Sequence, residues 1–103
     1  MKKTAWIITY KLKKGVDEED FIDATQCLHD EVLSKAKGFI FWQQYKQEST
    51  WTDFVMWEST DDANNGLDVG HGTIQAKHFY SFIQMTTCRM TISEFVKQYE
   101  RSL

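Results

Sequence analysis

Between Phe39 and Trp57 the chain carries two short stretches in which bulky apolar side chains fill both sets of alternating positions. In the first, Phe39, Phe41 and Tyr45 alternate with Ile40 and Trp42. In the second, Phe54 and Met56 alternate with Val55 and Trp57. A period of two marks a β-strand, whose successive side chains point to opposite faces of its sheet. Strands that are apolar on both faces need cover on both. A chain of 103 residues has few ways to provide it.

The flanking sequence supplies the other elements. Thr4 to Leu12 reads as a first strand, with Trp6, Ile8, Tyr10 and Leu12 on one face and Ala5, Ile7, Thr9 and Lys11 on the other. Gly15 ends it. Asp17 then caps a helix whose acidic first turn, Glu18, Glu19 and Asp20, complements the positive end of the helix dipole. Phe21, Ala24, Thr25, Leu28 and Val32 follow helical spacing and form its buried stripe. The helix is expected to run to about Ala36, with Gly38 in the left-handed closing position. Strands follow at Phe39–Gln47 and Thr52–Glu58, joined by a hairpin at Glu48-Ser49-Thr50. Directly after Trp57 and Glu58, Ser59 with Asp62 at the third helical position forms an acidic variant of the capping box. The region it opens contains Asn64, Asn65, Gly66, Gly70 and Gly72, which are poor interior helix residues. The pattern predicts a short helix to about Leu67, a loop near Gly70-His71-Gly72, and a firmer helix from Thr73 to Gln84. Ile74, His78, Phe79, Phe82 and Ile83 share one face of that helix. A fourth strand is expected from Thr86 to about Phe95, with Cys88, Met90 and Ile92 opposite Arg89, Thr91 and Ser93.

The order β-α-β-β-α-β over residues 1–103 predicts a single ferredoxin-like α+β domain: a four-stranded antiparallel sheet with helices on one face. Two helices cover one face only, and the apolar residues on the other form the kind of patch that marks an interface. A second copy stacked sheet to sheet would close a dimeric α+β barrel, so the pattern predicts a homodimer.

Several function classes are disfavoured. The net charge is −3, and the basic clusters Lys2-Lys3 and Lys11-Lys13-Lys14 are too short to track a phosphate backbone, which argues against nucleic-acid binding. No run approaches the roughly 20 apolar residues that span a bilayer, which argues against a membrane role. The apolar start stops at Ile8 without a small-residue cleavage site and reads as strand rather than signal peptide. Cys27 and Cys88 lack metal-ligand spacing and fit a reducing cytoplasm. There is no phosphate-cradling glycine loop, no HExxH and no serine-triad signature.

The run Val55-Met56-Trp57-Glu58-Ser59, the broken helix with Ala63 and His71, and His78-Phe79-Tyr80-Ser81-Phe82 together resemble the antibiotic biosynthesis monooxygenase (ABM) domain. The element order, the length and the Gly38-Phe39 opening of the second strand agree, and the resemblance covers essentially the whole domain. It implies a dimeric α+β barrel. It also implies one of two chemistries: cofactor-free oxygenation of polycyclic phenols to quinones, or haem degradation. In the quinone-forming type a tryptophan on the third strand works with an asparagine four residues earlier. Trp57 matches the first, and Asp53 stands where the amide would be. The tyrosine position of the following helix holds Ala63, and a basic residue of the second helix corresponds to Lys77. The haem-degrading set of asparagine, tryptophan and histidine falls on Ile8, Gly66 and His78. Two of the three are absent, which argues against haem degradation by that route.

Each candidate has a functional and a structural reading. Trp57 either orients a bound phenol through its indole N–H or is a core aromatic bonded to a backbone carbonyl. His78 is a general base or metal ligand, or a half-buried histidine bonded to a strand. Asp53 would be raised toward neutrality if buried, but its place beside Trp51 and Thr52 near the hairpin predicts exposure. Tyr10, Trp42, Tyr45 and Tyr80 line an aromatic pocket or fill the core and dimer interface. Phe82 and Lys77 join Tyr10 and Tyr45 as candidate substrate contacts. His71, between two glycines, is a loop residue or part of a lid. His29 reads as solvated and Cys27 as a structural thiol.

The resulting expectation is a cofactor-independent monooxygenase acting on an aromatic or polyphenolic small molecule. Trp57 would position the substrate and His78 or Asp53 would deprotonate it. The substrate carbanion would itself reduce oxygen, so no cofactor is required. A plainer option is a stress-related dimer whose cavity is filled by its own aromatics; the main alternative is a non-catalytic module that holds a small apolar ligand, or haem through His78, for sensing or sequestration. The monooxygenase and the binding module both need a cavity of about 300 Å³ or more between sheet and helices.

Overall fold

A computed structural model describes residues 2–102. Four strands, β1 (Thr4–Leu12), β2 (Phe39–Gln47), β3 (Thr50–Trp57) and β4 (Ile83–Glu94), form one antiparallel sheet in the order β2-β3-β1-β4. Helices α1 (Glu18–Glu31), α2 (Thr60–His71) and α3 (Ile74–Tyr80) pack against one face. This is the expected ferredoxin-like arrangement, with the second helical region split into two helices.

The caps act where their sequence signals stand. The Asp17 carboxylate accepts the N–H groups of Glu19 and Asp20 at the start of α1, and Ser59 Oγ accepts Asp62 N–H at 3.1 Å at the start of α2. A third cap, Thr73 Oγ1 accepting Ala76 N–H at 3.1 Å, starts α3. The helix-facing side of the sheet carries Trp6, Tyr10, Trp51, Val55 and Trp57, all buried. Phe21 of α1 is fully buried at the centre, with ring centroids 5.1 Å from Trp51, 5.1 Å from Phe79, 5.8 Å from Phe82 and 6.0 Å from Tyr10. Such offset and edge-on aromatic contacts each add about 0.5–1.5 kcal/mol beyond area burial.

The structure corrects four boundaries. First, α1 stops at Glu31 rather than near Ala36, and a 3₁₀ turn at Leu33–Lys35 inserts Leu33 into the core before Gly38 turns the chain at φ +82°. Second, β3 begins at Thr50, so the hairpin is a two-residue turn with Glu48 at φ +54°. Third, α2 continues to His71 through Asn64, Asn65 and Gly66. Packing overrides the weak propensity there: a Cβ on Gly66 would collide with the Trp57 ring, so only glycine lets α2 lie this close to β3. Fourth, α3 ends at Tyr80 and β4 begins at Ile83, because fully buried Ile83 pairs with Leu12 across the sheet. Within α3 only Ala76 and Phe79 are buried. Ile74 is 81% exposed and His78 is also exposed, so the expected apolar face does not form.

A fifth correction concerns β2. Phe39 pairs with Trp57 and Phe41 with Met56, which makes Ile40 the extra residue of a β-bulge. Phe39 and Trp42 therefore share the helix-facing side, and Phe41 lies opposite, with Ile7, Phe54 and Met56. That other side has no helix. Its apolar residues are half-buried, and Tyr45 stands 53% exposed, edge-on to Phe54 at 5.7 Å.

The close approach at Gly66 sets up a direct test. Gly66→Ala should lower stability by about 1–3 kcal/mol through overpacking against Trp57. Gly72→Ala, where a Cβ meets open space at a helical φ of −91°, should be neutral or stabilising by up to about 1 kcal/mol. Chemical denaturation of both variants measures the difference.

Candidate active site

Asp53 occupies a central position of β3, paired with Ile8 on one side and Gln44 on the other. Its side chain points toward the helices and is 1% exposed. The expectation of an exposed carboxylate is thus overturned. The hairpin lies three residues away in sequence, but α1 and α3 fold over this part of the sheet and remove it from water. None of the ion pairs among the described residues involves Asp53. Its partner is Tyr10, whose phenolic O–H donates to both carboxylate oxygens at 2.9 Å. Behind Tyr10, the Gln44 amide N–H reaches the Tyr10 oxygen and Thr25 Oγ1, each at 3.4 Å.

The electrostatics follow from burial. Desolvation disfavours the charged form and pushes the Asp53 carboxyl up to about 7, while the O–H of Tyr10 and the nearby N–H groups of Trp42 and Gln44 pull it down. Trp42 is close enough to favour the carboxylate, yet its buried Nε1 has no partner in hydrogen-bonding geometry among the described residues. Burial, and then the Asp53 charge, push the Tyr10 phenol well above its ordinary range, so the proton of that hydrogen bond stays on Tyr10. Tyr80 and Cys88 are also raised, first by burial and then by neighbouring negative charge. The result is a carboxyl that changes charge near neutral pH inside an apolar site.

Asp53 lines an internal cavity of about 40 Å³ together with Trp6, Ile8, Trp42, Phe79 and Tyr80, and Gly70 and His71 border it where α2 ends. That is room for a water or so, an order of magnitude below the ~300 Å³ of a typical ligand site. Among the described residues, the expected cavity of about 300 Å³ between sheet and helices is absent.

The remaining sequence candidates scatter. Trp57 is fully buried but does not line the cavity; it is wedged between Trp6 and Phe39, at 4.9 and 5.7 Å between ring centroids, and against Gly66. Its Nε1 has no hydrogen-bond partner among the described residues, so the expected bond to a backbone carbonyl is absent there. That bond is made instead by Trp6 Nε1, to Ala63 O at 3.2 Å. His78 is exposed, with its ring edge-on to Phe82 at 5.1 Å, and Lys77 is exposed beside it. Phe82 packs under Phe21, away from the cavity. Tyr45 lies on the opposite side of the sheet. Asp53 and His71 are brought together around the cavity, along with Trp42 and Tyr80, while Tyr10 stands behind Asp53 and meets the site only through their hydrogen bond. Gln44 escaped sequence reasoning, although the hairpin register places it beside Asp53. Among the described residues no three His, Cys, Asp or Glu side chains gather where a metal ion could be held.

No protein-family model and no curated protein matches the chain. Solved structures do. An engineered variant of SnoaB, a cofactor-independent oxygenase from Streptomyces nogalater, superposes with a TM-score of 0.75 at 9% identity over 97% of each chain. A provisionally assigned antibiotic biosynthesis monooxygenase from Nitrosomonas europaea gives 0.69 at 12% identity over 91% of this chain and 90% of that one. The chain has an ABM-like fold. At such identities the likeness concerns the fold alone. A protein of unknown function from Nitrosomonas europaea, at 15% identity and a TM-score of 0.70 over 99% of this chain and 97% of that one, shares it as well.

The Asp53 environment has a measurable consequence. An aspartate in an unfolded chain titrates near 3.9, well below the folded value of about 7. Between these limits the folded chain holds the extra proton, so stability falls as pH rises through this window and levels off above it. Asp53→Asn removes this dependence. The stability of the variant relative to the parent should therefore grow between about pH 5 and about pH 8, by roughly 2–3 kcal/mol. Denaturation curves at the two pH values test it.

Proposed function

We propose that this ABM-like chain is a cofactor-independent monooxygenase of a compact phenolic molecule, with Asp53 as its general base. The observation that supports this most is the buried carboxyl, held by Tyr10 at the edge of an aromatic cavity and poised near neutrality. Ionised Asp53 takes a proton from an acidic C–H flanked by phenolic rings. The resulting carbanion is an electron donor to oxygen. A methylene carbon becomes a carbonyl, one oxygen atom enters the product and the other leaves as water, so the substrate supplies all four electrons. Tyr10 holds Asp53 in place, and Trp42 and Tyr80 present ring faces to the substrate. Room is made at the His71 end, where Gly70 borders the cavity and a Cβ on it would meet open space.

A second reading is supported by the cavity's size. A site of about 40 Å³ filled by its own aromatic rings suits a non-catalytic dimer that holds no ligand there, because a ligand-binding module needs several times that space. Haem binding through His78 would take place outside this cavity, since His78 is on the exposed side of α3. In both readings the helix-free side of the sheet, with Ile7, Phe41, Phe54 and Met56, is the homodimer interface.

Oxygen consumption with dihydroxyanthrone and with smaller phenols that carry an acidic methylene separates the two. The monooxygenase reading expects uptake that rises with pH through about 7, as Asp53 ionises. Asp53→Asn should lower the rate by about 10²-fold or more, while His78→Ala should stay near the parent rate. Absence of uptake with every phenol tested would favour the non-catalytic dimer, and a Soret band on adding haem would favour a binding module outside the cavity. For the dimer, Phe54→Glu should convert a sedimenting dimer to monomer at micromolar concentration. A parent chain already monomeric under those conditions would refute the sheet-face reading.

A further inference from the structure

Trp42 does more than wall the inner cavity. Its other side borders an open groove of about 290 Å³ between α1 and β2, lined also by Ile22, Thr25, Gln26, His29 and Gln44. This space is close to the lower end of typical ligand sites, whereas the inner cavity is far below it. Trp42 is thus the partition between the two. Gln44 ties the groove to the site behind it, because both bonds of its amide N–H run inward, to Tyr10 and Thr25.

The groove's chemistry restricts its occupant. Ile22 and the Trp42 ring offer apolar surface. The polar groups are neutral amides, a hydroxyl and an imidazole, and most are already committed. Thr25 Oγ1 donates to Phe21 O at 2.9 Å, Gln26 Nε2 donates to Asp30 at 2.8 Å, and His29 Nδ1 meets the same carboxylate at 2.7 Å. Gln44 Oε1 and Gln26 Oε1 take part in no hydrogen bond among the described residues, so the groove offers two amide acceptors to a ligand. Asp30 is bonded to Gln26 and His29 of the groove, and Asp23 follows Ile22 on α1. Negative charge there opposes an anionic ligand.

We infer that the groove between α1 and β2 is a binding site for a neutral one- or two-ring aromatic molecule that carries a hydrogen-bond donor. The ring lies on Trp42 and Ile22, and the donor bonds Gln44 Oε1. The site deepens the proposed reaction and rests on that reading: it holds the aromatic molecule on the outer side of Trp42, whose inner side walls the cavity that Asp53 lines.

The test is binding, read without oxygen chemistry. 2-Naphthol is the probe, titrated by calorimetry against naphthalene-2-sulfonate as the anionic counterpart. The parent chain should bind 2-naphthol saturably and the sulfonate about tenfold more weakly or not at all. Gln26→Trp, at an exposed position of α1 where folding is not at stake, should fill the groove and weaken 2-naphthol by about tenfold or more. Gln44→Ala should weaken it severalfold, and Gly70→Trp, at the far end of the inner cavity, should leave it unchanged. Equal affinity in the parent and Gln26→Trp, loss in Gly70→Trp alone, or no saturable binding up to millimolar probe would overturn the inference. Asp53→Asn distinguishes the two readings: retained 2-naphthol binding with lost oxygen uptake supports both. Oxygen uptake that survives Gln26→Trp, with the probe's affinity unchanged, removes the groove and leaves the Asp53 reaction standing.

Discussion

A carboxyl group sits in the middle of a hydrophobic layer, and much of the site's behaviour follows from the way the fold accommodates it. Asp53 is flanked in the sheet by Ile8 and Gln44, with its side chain under α1 and α3. An isolated buried carboxylate is strongly disfavoured, and a fold can pair it with a cation or hold it neutral. This chain balances the two forms without a cation: burial favours the neutral carboxyl, while the Tyr10 hydroxyl, donating to both oxygens, favours the ionised one. The group is consequently a weak acid tuned to neutrality rather than a fixed charge. The energy stored in its ionised form is the driving force a base needs, so stability and reactivity are opposed in one residue.

Most of the architecture was legible in the sequence because local and long-range signals agree. Alternation located all four strands, and Asp17 and Ser59 marked two helix starts that the structure repeats. The failures share a cause. Gly66 reads as a helix breaker in one dimension, yet in three it is the residue that lets α2 settle on Trp57. The end of α3 was placed too late because Phe82 and Ile83 continue a helical period, whereas pairing of Ile83 with Leu12 draws the chain into β4. Each time a tertiary contact outweighed a local preference.

The site was less legible than the fold. Trp57, the residue that most suggested the family likeness, is a structural wedge, and His78 faces solvent. Asp53 was recognised as consequential only if buried, and its sequence neighbours gave no sign of burial. What covers it comes from α1 and α3, roughly 25 residues away in the chain on either side. Gln44 carries no motif at all; its importance lies in a register number.

That register has a further consequence, which the bulge at Ile40 makes visible. β2 is read in two frames: Phe39 belongs to one, anchored at the Gly38 corner, and Trp42 and Gln44 to the other, anchored at the two-residue turn of Glu48 and Ser49. The bulge absorbs the mismatch between them. The two ends of the strand are therefore unequal as places for the chain to change length. An added or lost residue beside Gly38 meets a joint that already accommodates one. The same change at the hairpin would slide the inner frame by one and present Phe41 and Gln43 to the helices in place of Trp42 and Gln44. The tight turn at the edge of the molecule thus acts as the ruler from which the interior is measured.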